Sequence, residues 1–346
     1  MPKHRNIAIF VPHLGCPHRC VFCDQRAISG TLSAPAPEDV RRAAEIALSD
    51  GETGGEIAFF GGSFTAVDRD YMVSLLEAAQ PYIRSGDFSG IRCSTRPDAV
   101  DPETLGLLKS YGVTAVELGA QSADDGILQK NGRGHTFAQT KDACAMIREA
   151  GIGLGLQMMT GMYGETPGSA LRTAEIFCGL RPDTMRIYPT VVLKNTVLAQ
   201  LYERGEYVPQ TVDEAAELCA RLLRLFLDAG IPVIRLGLHS GGGVDDSYIA
   251  GPWHPAFREL CEGRIYLSLI SERLRGQPEG RYTVHVAPSE ISKAVGQKRT
   301  NLAALAARGW DCRVTGDPEV GVFEVRTQPE RICRSHGSNG SQRKES

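Results

Sequence analysis

Residues 15–25 read GCPHRCVFCDQ and place three cysteines, Cys16, Cys20 and Cys23, within eight residues of one another. Thiolates at this density are the ligands of zinc sites and of iron–sulfur clusters. A closed structural zinc site needs four protein ligands. The segment therefore predicts a metal site that either takes a fourth ligand from elsewhere or keeps one coordination position open.

Both forms of this metal site are compatible with the spacing alone. His13 or His18 could complete a Cys₃His zinc site. Alternatively, the three thiolates hold a [4Fe–4S] cluster in which one iron has no protein ligand.

The composition indicates a reducing compartment for this site. The chain has 346 residues and a net charge of −3, and it contains ten cysteines. No stretch approaches the roughly 20 apolar residues of a membrane helix, and the N-terminus lacks the apolar run of a signal peptide. We therefore expect a cytoplasmic location without a membrane, where clustered cysteines indicate metal chemistry rather than disulfides.

Seven short apolar runs alternate with segments of helical periodicity, and the three cysteines follow the first run. The runs are NIAIFVP (6–12), EIAFFGG (56–62), GIRCST (90–95), TAVELGAQ (114–121), IGLGLQMM (152–159), DTMRIYPT (183–190) and IPVIRLGLHS (231–240). Repeated strand–helix units predict an α/β fold with a parallel sheet flanked by helices. A full or partial TIM-type β/α barrel places its functional residues where strands end, as the polar residues fall here. An open doubly wound sheet also fits the alternation, but the cysteines after the first run favour the barrel.

The helix after the first cysteines illustrates the periodicity. Pro37 opens its first turn, and Val40, Ala44, Ile46 and Ala47 are predicted to form its buried apolar stripe.

The cysteine spacing, Cys-x₃-Cys-x₂-Cys with Phe22 before the last cysteine, resembles that of the radical S-adenosylmethionine superfamily. The resemblance implies a [4Fe–4S] cluster on Cys16, Cys20 and Cys23, whose open iron chelates S-adenosylmethionine. It also implies electron transfer to the sulfonium and release of a 5′-deoxyadenosyl radical. Phe22 is then a cofactor-contacting residue.

The glycine-rich segment FFGGSFT (59–65) resembles the one that meets the methionine amino group in that superfamily. It assigns Gly61, Gly62 and Ser63 to cofactor binding, because glycine allows a close approach of the backbone. A turn of purely structural importance would have the same two glycines.

Three further segments resemble the Elongator catalytic-subunit family. They are TRPDAV (95–100), VELGAQSADDGILQKNGRGHT (116–136) and PDTMRIYPTVVLKNTVLAQLYERGEYVP (182–209). The resemblance implies a radical S-adenosylmethionine barrel that acts on tRNA. No segment resembles the acetyltransferase domain of that family, so we do not expect acetyl-derived carboxymethylation. The cofactor-binding residues it implies are Ser94, Arg96, Glu117, Gln121 and Arg186.

Structural alternatives exist for several of these residues. Glu117 and Gln121 could be an exposed strand residue and a turn residue, and Arg186 could pair with Asp183. His135 could donate a proton, but a surface or helix-capping histidine is the more frequent case at such a position.

The domain boundaries predicted from the sequence give a barrel over 1–250 and a connecting helix over 251–280. A small α+β module with a βααββ order follows over 281–328, and a polar, disordered tail over 329–346. The helical part of the module, EISKAVGQKRTNLAALAARGW (290–310), resembles a KH helix–loop–helix.

In KH modules the loop between the helices clamps a nucleic-acid backbone. Here Gly296, Gln297, Lys298 and Arg299 would form the clamp, with Arg299 in the position of the second glycine. Residues 281–313 contain six basic and two acidic side chains, which suits phosphate contacts. An amphipathic helical pair joined by a solvated basic turn is the alternative.

Three hypotheses of function follow. The first is a radical S-adenosylmethionine enzyme that modifies tRNA or another RNA and receives electrons from a flavodoxin or ferredoxin, with no role for DNA. The second is a small-molecule enzyme similar to oxygen-independent coproporphyrinogen oxidase, although the extra cysteine common in that family is replaced by Gln25. The third is a non-enzymatic, zinc-stabilised RNA-binding protein. No residue is assigned a catalytic role.

Overall fold

The computed structural model describes residues 6–11, 16, 20–24, 33–238 and 244–330. The chain divides into two compact units, Met1–Cys261 and Glu262–Ser346.

The first unit is built on a parallel sheet with the strand order β1-β2-β3-β4-β5-β6-β8. Its strands are β1 (Ile7–Val11), β2 (Glu56–Gly61), β3 (Gly90–Thr95), β4 (Val113–Gln121), β5 (Gly153–Thr160), β6 (Thr184–Pro189) and β8 (Val233–Leu236). All neighbouring pairs are parallel, and in the described residues β1 and β8 do not pair with each other. The sheet is therefore a partial barrel, which confirms the predicted fold class. The strands also follow one another in chain order without a reversal, which excludes the doubly wound alternative. Two short strands, β7 (Val192–Leu193) and β9 (Tyr248–Ala250), form a separate antiparallel pair.

Helices follow the strands as the alternation predicts. They are α1 (Pro37–Ser49), α2 (Arg69–Arg84), α3 (Pro102–Ser110), α4 (Asp125–Lys130), α5 (Phe137–Glu149), α6 (Pro167–Gly179), α7 (Val197–Glu203), α8 (Val212–Asp228), α9 (Val244–Ser247) and α10 (Phe257–Leu274). The sheet strands are buried on both faces: Phe59 and Val116 on one face and Ala58 and Glu117 on the other are almost fully inaccessible.

The buried stripe of α1 is narrower than predicted. Val40, Ala44 and Ala47 are buried, but Ile46 is 56% exposed. Ile46 lies six positions after Val40, which rotates its side chain to the solvent side of a helix with 3.6 residues per turn. Including Ile46 in the stripe was therefore wrong.

The second unit has its own sheet, with the order β11-β10-β12. Its elements are β10 (Gly280–Val286), α11 (Ile291–Val295), α12 (Thr300–Ala306), β11 (Trp310–Gly316) and β12 (Arg326–Pro329). The βααββ order is as predicted, and the last strand begins at Arg326. Phe323 has a φ of 58° and donates its N–H to the Tyr266 hydroxyl at 2.9 Å, so the chain turns before it pairs.

The boundaries predicted for the individual domains remain a prediction, as does the KH resemblance. Most of the predicted polar tail lies outside the described residues.

Candidate cofactor and active site

The three clustered cysteines lie between β1 and α1, are half-buried, and form no disulfide within the described part of the chain. The Cys23 N–H donates to the Cys20 carbonyl at 3.1 Å, so these two residues close one turn. Against the larger effect of burial, the Ser63 backbone amide lowers the pKa of the Cys16 thiol slightly. Arg133 Nη1 donates to the Cys20 sulfur at 3.3 Å. The Cys20 sulfur thus accepts a hydrogen bond from a residue in the segment that follows β4 and α4.

The electrostatic surroundings of Cys16 have opposing effects. Burial raises the pKa of the Cys16 thiol, whereas the guanidinium groups of Arg96 and Arg133 act in the opposite direction. Among the described residues no three Cys, His, Asp or Glu side chains lie in a metal-ligating arrangement. His13 and His18, the alternative zinc ligands, are outside the described part of the chain.

The glycine-rich segment lies directly against the end of β1. Gly61 has a φ of 113°, and a Cβ on it would lie 2.8 Å from the Val11 carbonyl oxygen. Gly62 donates its N–H to the same oxygen at 2.9 Å. The Ser63 hydroxyl lies 2.7 Å from that of Thr95 at the end of β3. Glycine at position 61 therefore lets the chain turn from the sheet toward the cysteines.

Glu117 is the centre of a buried polar network on β4 and is 1% exposed. Its carboxylate accepts from Arg186 Nη2 at 2.7 Å, from Gln157 Nε2 at 3.0 Å and from Arg92 Nη1 at 3.3 Å. Gly155 on β5 makes this possible, because a Cβ there would lie 2.8 Å from Glu117 Cγ. Glu117 is therefore not an exposed strand residue, and its oxygens are already engaged by neighbouring strands.

The partner proposed for Arg186 from sequence, Asp183, is also wrong. Asp183 accepts the Leu154 N–H at 2.7 Å, whereas Arg186 pairs with Glu117 and lies 4.7 Å from the centroid of the Phe60 ring. Gln157 connects this network to Ser94, whose hydroxyl lies 3.4 Å from its amide nitrogen. Ser94, Glu117 and Arg186 thus meet on one face of the sheet.

Gln121 ends β4 with a φ of 64° and is 7% exposed. Its side-chain oxygen is buried and has no hydrogen-bond partner among the described residues. A Cβ on Gly119 would lie 3.1 Å from the Gln121 amide nitrogen and 3.2 Å from Arg133 Nη2. Gly119 thus makes room for two polar side chains at the strand end, one of which contacts a cysteine.

Arg133 and His135 line the same strand end. Arg133 is buried, and its Nη2 donates to the Gly119 carbonyl at 2.5 Å. His135 is 4% exposed and lies 3.2 Å from the Ala120 carbonyl through Nε2. Burial, with a further contribution from Arg133, lowers the pKa of His135 to about 4, so the ring is neutral at pH 7. The surface or capping interpretation of His135 was wrong, and Thr136 is the residue that caps α5.

Arg96 follows β3 and forms an ion pair with Asp98, in which Nε donates at 2.9 Å. Its backbone N–H donates to the Ser63 hydroxyl at 3.3 Å. Arg96 Nη1 is buried without a partner among the described residues. Arg96 therefore has a donor available beside the cysteine segment.

Phe22 lies in an apolar cluster with Met162, Leu198 and Tyr207, against which Cys20 and Cys23 also pack. The Val21 N–H donates to the Asn131 carbonyl, and the Val21 carbonyl accepts the Leu198 N–H. Packing and backbone pairing together fix this part of the cysteine segment.

Glu165, in the loop after β5, was not singled out from the sequence. It accepts the Gly161 N–H at 2.6 Å, and its other oxygen has no partner among the described residues. Burial raises the pKa of Glu165 to about 8. The acid is therefore largely protonated at neutral pH.

Gln157, Arg92 and Glu56 were also missed. Arg92 joins Glu117 to Glu56, to which its Nε donates at 2.7 Å. The sequence feature that could have revealed this network is the arginine in the middle of the apolar run GIRCST, because a charged side chain in a buried strand requires a partner.

The basic turn of the second unit, Gly296–Arg299, was predicted to contact nucleic acid. Gly296 has a φ of 77°, Lys298 of 51° and Arg299 of 63°. Gln297, Lys298 and Arg299 are exposed. Arg299 thus adopts the left-handed conformation typical of glycine, at the position where the clamp pattern has its second glycine.

Comparison with known families identifies the fold of the first unit. Residues 10–177 match the radical SAM superfamily, and residues 182–266 match the Radical_SAM C-terminal domain. The chain belongs to the radical SAM superfamily.

Similar proteins include members of the Elongator group. The tRNA uridine(34) acetyltransferase of Dehalococcoides mccartyi is 26% identical over 242 residues, 59% of this radical SAM chain and 52% of the relative. Elongator complex protein 3 of Mus musculus is 27% identical over 321 residues, 81% of this chain and 54% of the relative. The chain thus spans about half the length of these relatives. The structure of Elp3 from Methanocaldococcus infernus aligns with a TM-score of 0.60 and 21% identity, covering 75% of this chain and 62% of that one.

Radical SAM proteins use a [4Fe–4S] cluster and S-adenosylmethionine, and the residues present here fit both. Three thiols within eight residues, one of which accepts a hydrogen bond from the buried Arg133, supply the soft ligands of a cysteine-ligated cluster. The unpartnered Gln121 oxygen and Arg96 Nη1 offer an acceptor and a donor beside them. In the described residues no helix is both long and apolar enough to span a membrane.

Proposed function

We propose that this radical SAM protein binds a [4Fe–4S] cluster through Cys16, Cys20 and Cys23 and uses it to modify RNA, with tRNA as the substrate. The observation that carries the proposal is the set of polar groups around two of the cysteines. Arg133 donates to the Cys20 sulfur. Burial raises the pKa of the Cys16 thiol, and the Arg96 guanidinium and the Ser63 backbone amide both act to lower it. This arrangement supports thiolate ligands at the carboxyl edge of the sheet.

When bound, the cluster supplies the electron that converts S-adenosylmethionine into methionine and a 5′-deoxyadenosyl radical. Gly61, Gly62 and Ser63 would place backbone groups next to the methionine end. Arg96 Nη1 would donate to its carboxylate. Phe22 packs the cysteine turn against an apolar cluster and helps to exclude water from the radical.

Gln121 and the Glu117 network have different roles in this proposal. The Gln121 oxygen has no partner and would accept from a ribose hydroxyl. Glu117 already accepts from three side chains, so it would hold Arg186 and Gln157 rigid beneath the cofactor. Ser94, joined to Gln157, would complete this supporting surface.

Two observations support RNA as the substrate. Relatives are named tRNA uridine(34) acetyltransferase and Elongator complex protein 3. In the turn Gly296–Arg299, Lys298 and Arg299 both have a positive φ, which is strained for these residue types. Both residues are exposed, so burial of their side chains does not explain the strain. We propose that this turn contacts RNA phosphates, and that an electron donor such as flavodoxin or ferredoxin reduces the cluster.

The experiment that tests the substrate compares modified nucleosides of tRNA from cells with and without this protein by mass spectrometry. We expect one nucleoside to disappear in the deletion strain, to return with the wild-type gene, and to stay absent with a Cys20→Ala gene. Unchanged tRNA in all strains would contradict the proposed substrate.

RNA binding by the turn is tested with Lys298→Glu/Arg299→Glu. Each phosphate contact that is lost reduces the salt dependence of binding, so the slope of log K against log salt should fall by about 2. The matched control is Arg308→Glu, an exposed arginine after α12. An unchanged slope in the double variant would exclude the turn as the contact.

A further inference from the structure

A pair of cationic side chains lies on the last two strands of the sheet, β6 and β8. Arg186 on β6 and Arg235 on β8 are register partners on adjacent parallel strands. Side chains of register partners leave a sheet on the same face. Two guanidinium groups therefore lie side by side on the face that carries Glu117.

The two arginines differ in whether a carboxylate neutralises their charge. Arg186 has Glu117, with Nη2 donating at 2.7 Å. Among the described residues, Arg235 donates through Nε to the Gly237 carbonyl, at 3.0 Å, and to no carboxylate. Both oxygens of Glu117 are already shared among Arg92, Arg186 and Gln157, so Glu117 cannot neutralise Arg235 as well.

No other acid compensates Arg235. The charged groups that act on it are Arg186 and Arg258, both cationic, and the phenol of Tyr188; the described residues place no carboxylate among them. Burial, followed by the repulsion from the two arginines, lowers the pKa of Arg235 below its ordinary range. The first-unit residues outside the description contain no Asp or Glu. A half-buried guanidinium without an anion is costly for folding, and such charges concentrate at binding sites.

Tyr188 adds a donor to this pair. Its hydroxyl lies 3.4 Å from Arg186 Nη1, and it belongs to the same strand as Arg186. Two guanidinium groups and a phenol provide several N–H and O–H donors, which is the set that binds a tetrahedral oxyanion.

We propose that Arg235, Arg186 and Tyr188 form a phosphate-binding subsite that receives a phosphate of the substrate. That the phosphate belongs to a substrate rests on the proposed function, whereas the anion site itself does not. The methionine carboxylate of the cofactor is the other possible source of an oxyanion. In the proposed function that carboxylate has its own donor, Arg96 Nη1, after β3. Arg235 is therefore left for a second oxyanion, which a phosphate of another molecule supplies.

The test is thermal unfolding of the full-length protein in phosphate-free buffer and with inorganic phosphate, at constant ionic strength. Phosphate at many times its Kd should raise the Tm of the wild type by about 2 °C or more. Arg235→Gln should abolish this rise, and Arg235→Lys should keep part of it. Arg221→Gln, an exposed arginine of α8, is the matched control and should respond like the wild type.

A second readout is independent of ligand. Without phosphate, Arg235→Gln should be at least as stable as the wild type, because the substitution removes repulsion from Arg186 and Arg258. The proposal is overturned if phosphate stabilises Arg235→Gln as much as the wild type, or if it stabilises neither. It is also overturned if Arg235→Gln loses S-adenosylmethionine binding while phosphate still raises its Tm as in the wild type. None of these measurements requires radical chemistry, so a failure of the proposed function is seen separately.

Discussion

The two units of this protein treat buried polar groups differently. In the second unit, Lys293 donates to Glu290 at 3.0 Å and lies 2.9 Å from Glu262, and the Tyr266 hydroxyl donates to Glu290 at 3.3 Å. In the described residues, every buried side-chain polar atom without a hydrogen-bond partner lies in the first unit.

Several of these unpartnered atoms surround the cysteine segment. They belong to Arg96, Gln121, Arg133 and His135. Unpaired buried polar groups cost free energy and are few in folded proteins, so a concentration at one edge indicates a site that a ligand completes. The second unit, by contrast, uses its buried charges to hold its elements together.

The largest expected effect is the loss of the metal site. Cys16→Ala, Cys20→Ala or Cys23→Ala should each abolish most of the iron and sulfide bound after anaerobic reconstitution, because a three-thiolate site has no spare ligand. Cys178→Ala is the matched control, since this thiol is also half-buried but lies on α6. Iron binding that survives all three changes, or that fails in the control, would be incompatible with the assignment.

A change to the closed network should affect stability alone. Lys293→Met leaves two buried carboxylates without their cation, and we expect the free energy of unfolding to fall by about 2 kcal/mol. The value is at the low end of such losses because the Lys293 side chain is 23% exposed. Urea unfolding followed by circular dichroism measures it. S-adenosylmethionine affinity should stay unchanged, and a parallel loss of affinity would remove the distinction between the units.

Gln121→Ala is expected to weaken cofactor binding while leaving stability nearly unchanged. Its oxygen has no partner to lose, and the left-handed backbone is equally strained with either side chain. Stability should therefore change by no more than about 1 kcal/mol, whereas a lost hydrogen bond to the cofactor should weaken S-adenosylmethionine binding about tenfold. Isothermal titration of the reconstituted protein gives the affinity. Normal binding by Gln121→Ala would show that this open acceptor does not contact the cofactor.

The smallest expected effect is a difference in the pH dependence of stability between the wild type and Glu165→Gln. Burial raises the pKa of Glu165 from 4.5 to about 8 in the folded state. The folded protein therefore prefers the protonated acid, and this contribution to stability is complete below pH 4.5 and is lost as the pH rises through about 8. The Tm of the wild type should fall between pH 6 and 9 more than that of Glu165→Gln. Parallel curves for the two proteins would rule out a protonated Glu165.

The fold of the first unit was predictable because its signals are local. Each strand of the parallel sheet is a short apolar run, and helices α1 to α8 begin with a capping residue or proline, so the seven strands were found in order. The cysteine spacing and the Gly61–Gly62 pair are also local patterns.

The partners inside the site were not predictable in the same way. Arg186 reaches Glu117 across β5 only because Gly155 has no side chain in the path. His135 looks like a surface residue in the sequence, and only the packing around the end of β4 buries it. Such contacts join strands that are far apart in sequence, and no periodicity records them.

The most direct test of the proposed function is cleavage of S-adenosylmethionine by the reconstituted protein under anaerobic conditions with a strong reductant. We predict that 5′-deoxyadenosine and methionine form in equal amounts, and that Cys20→Ala forms neither. A wild-type protein that carries its full iron–sulfur content and binds S-adenosylmethionine, yet forms no 5′-deoxyadenosine with or without tRNA, would contradict the account.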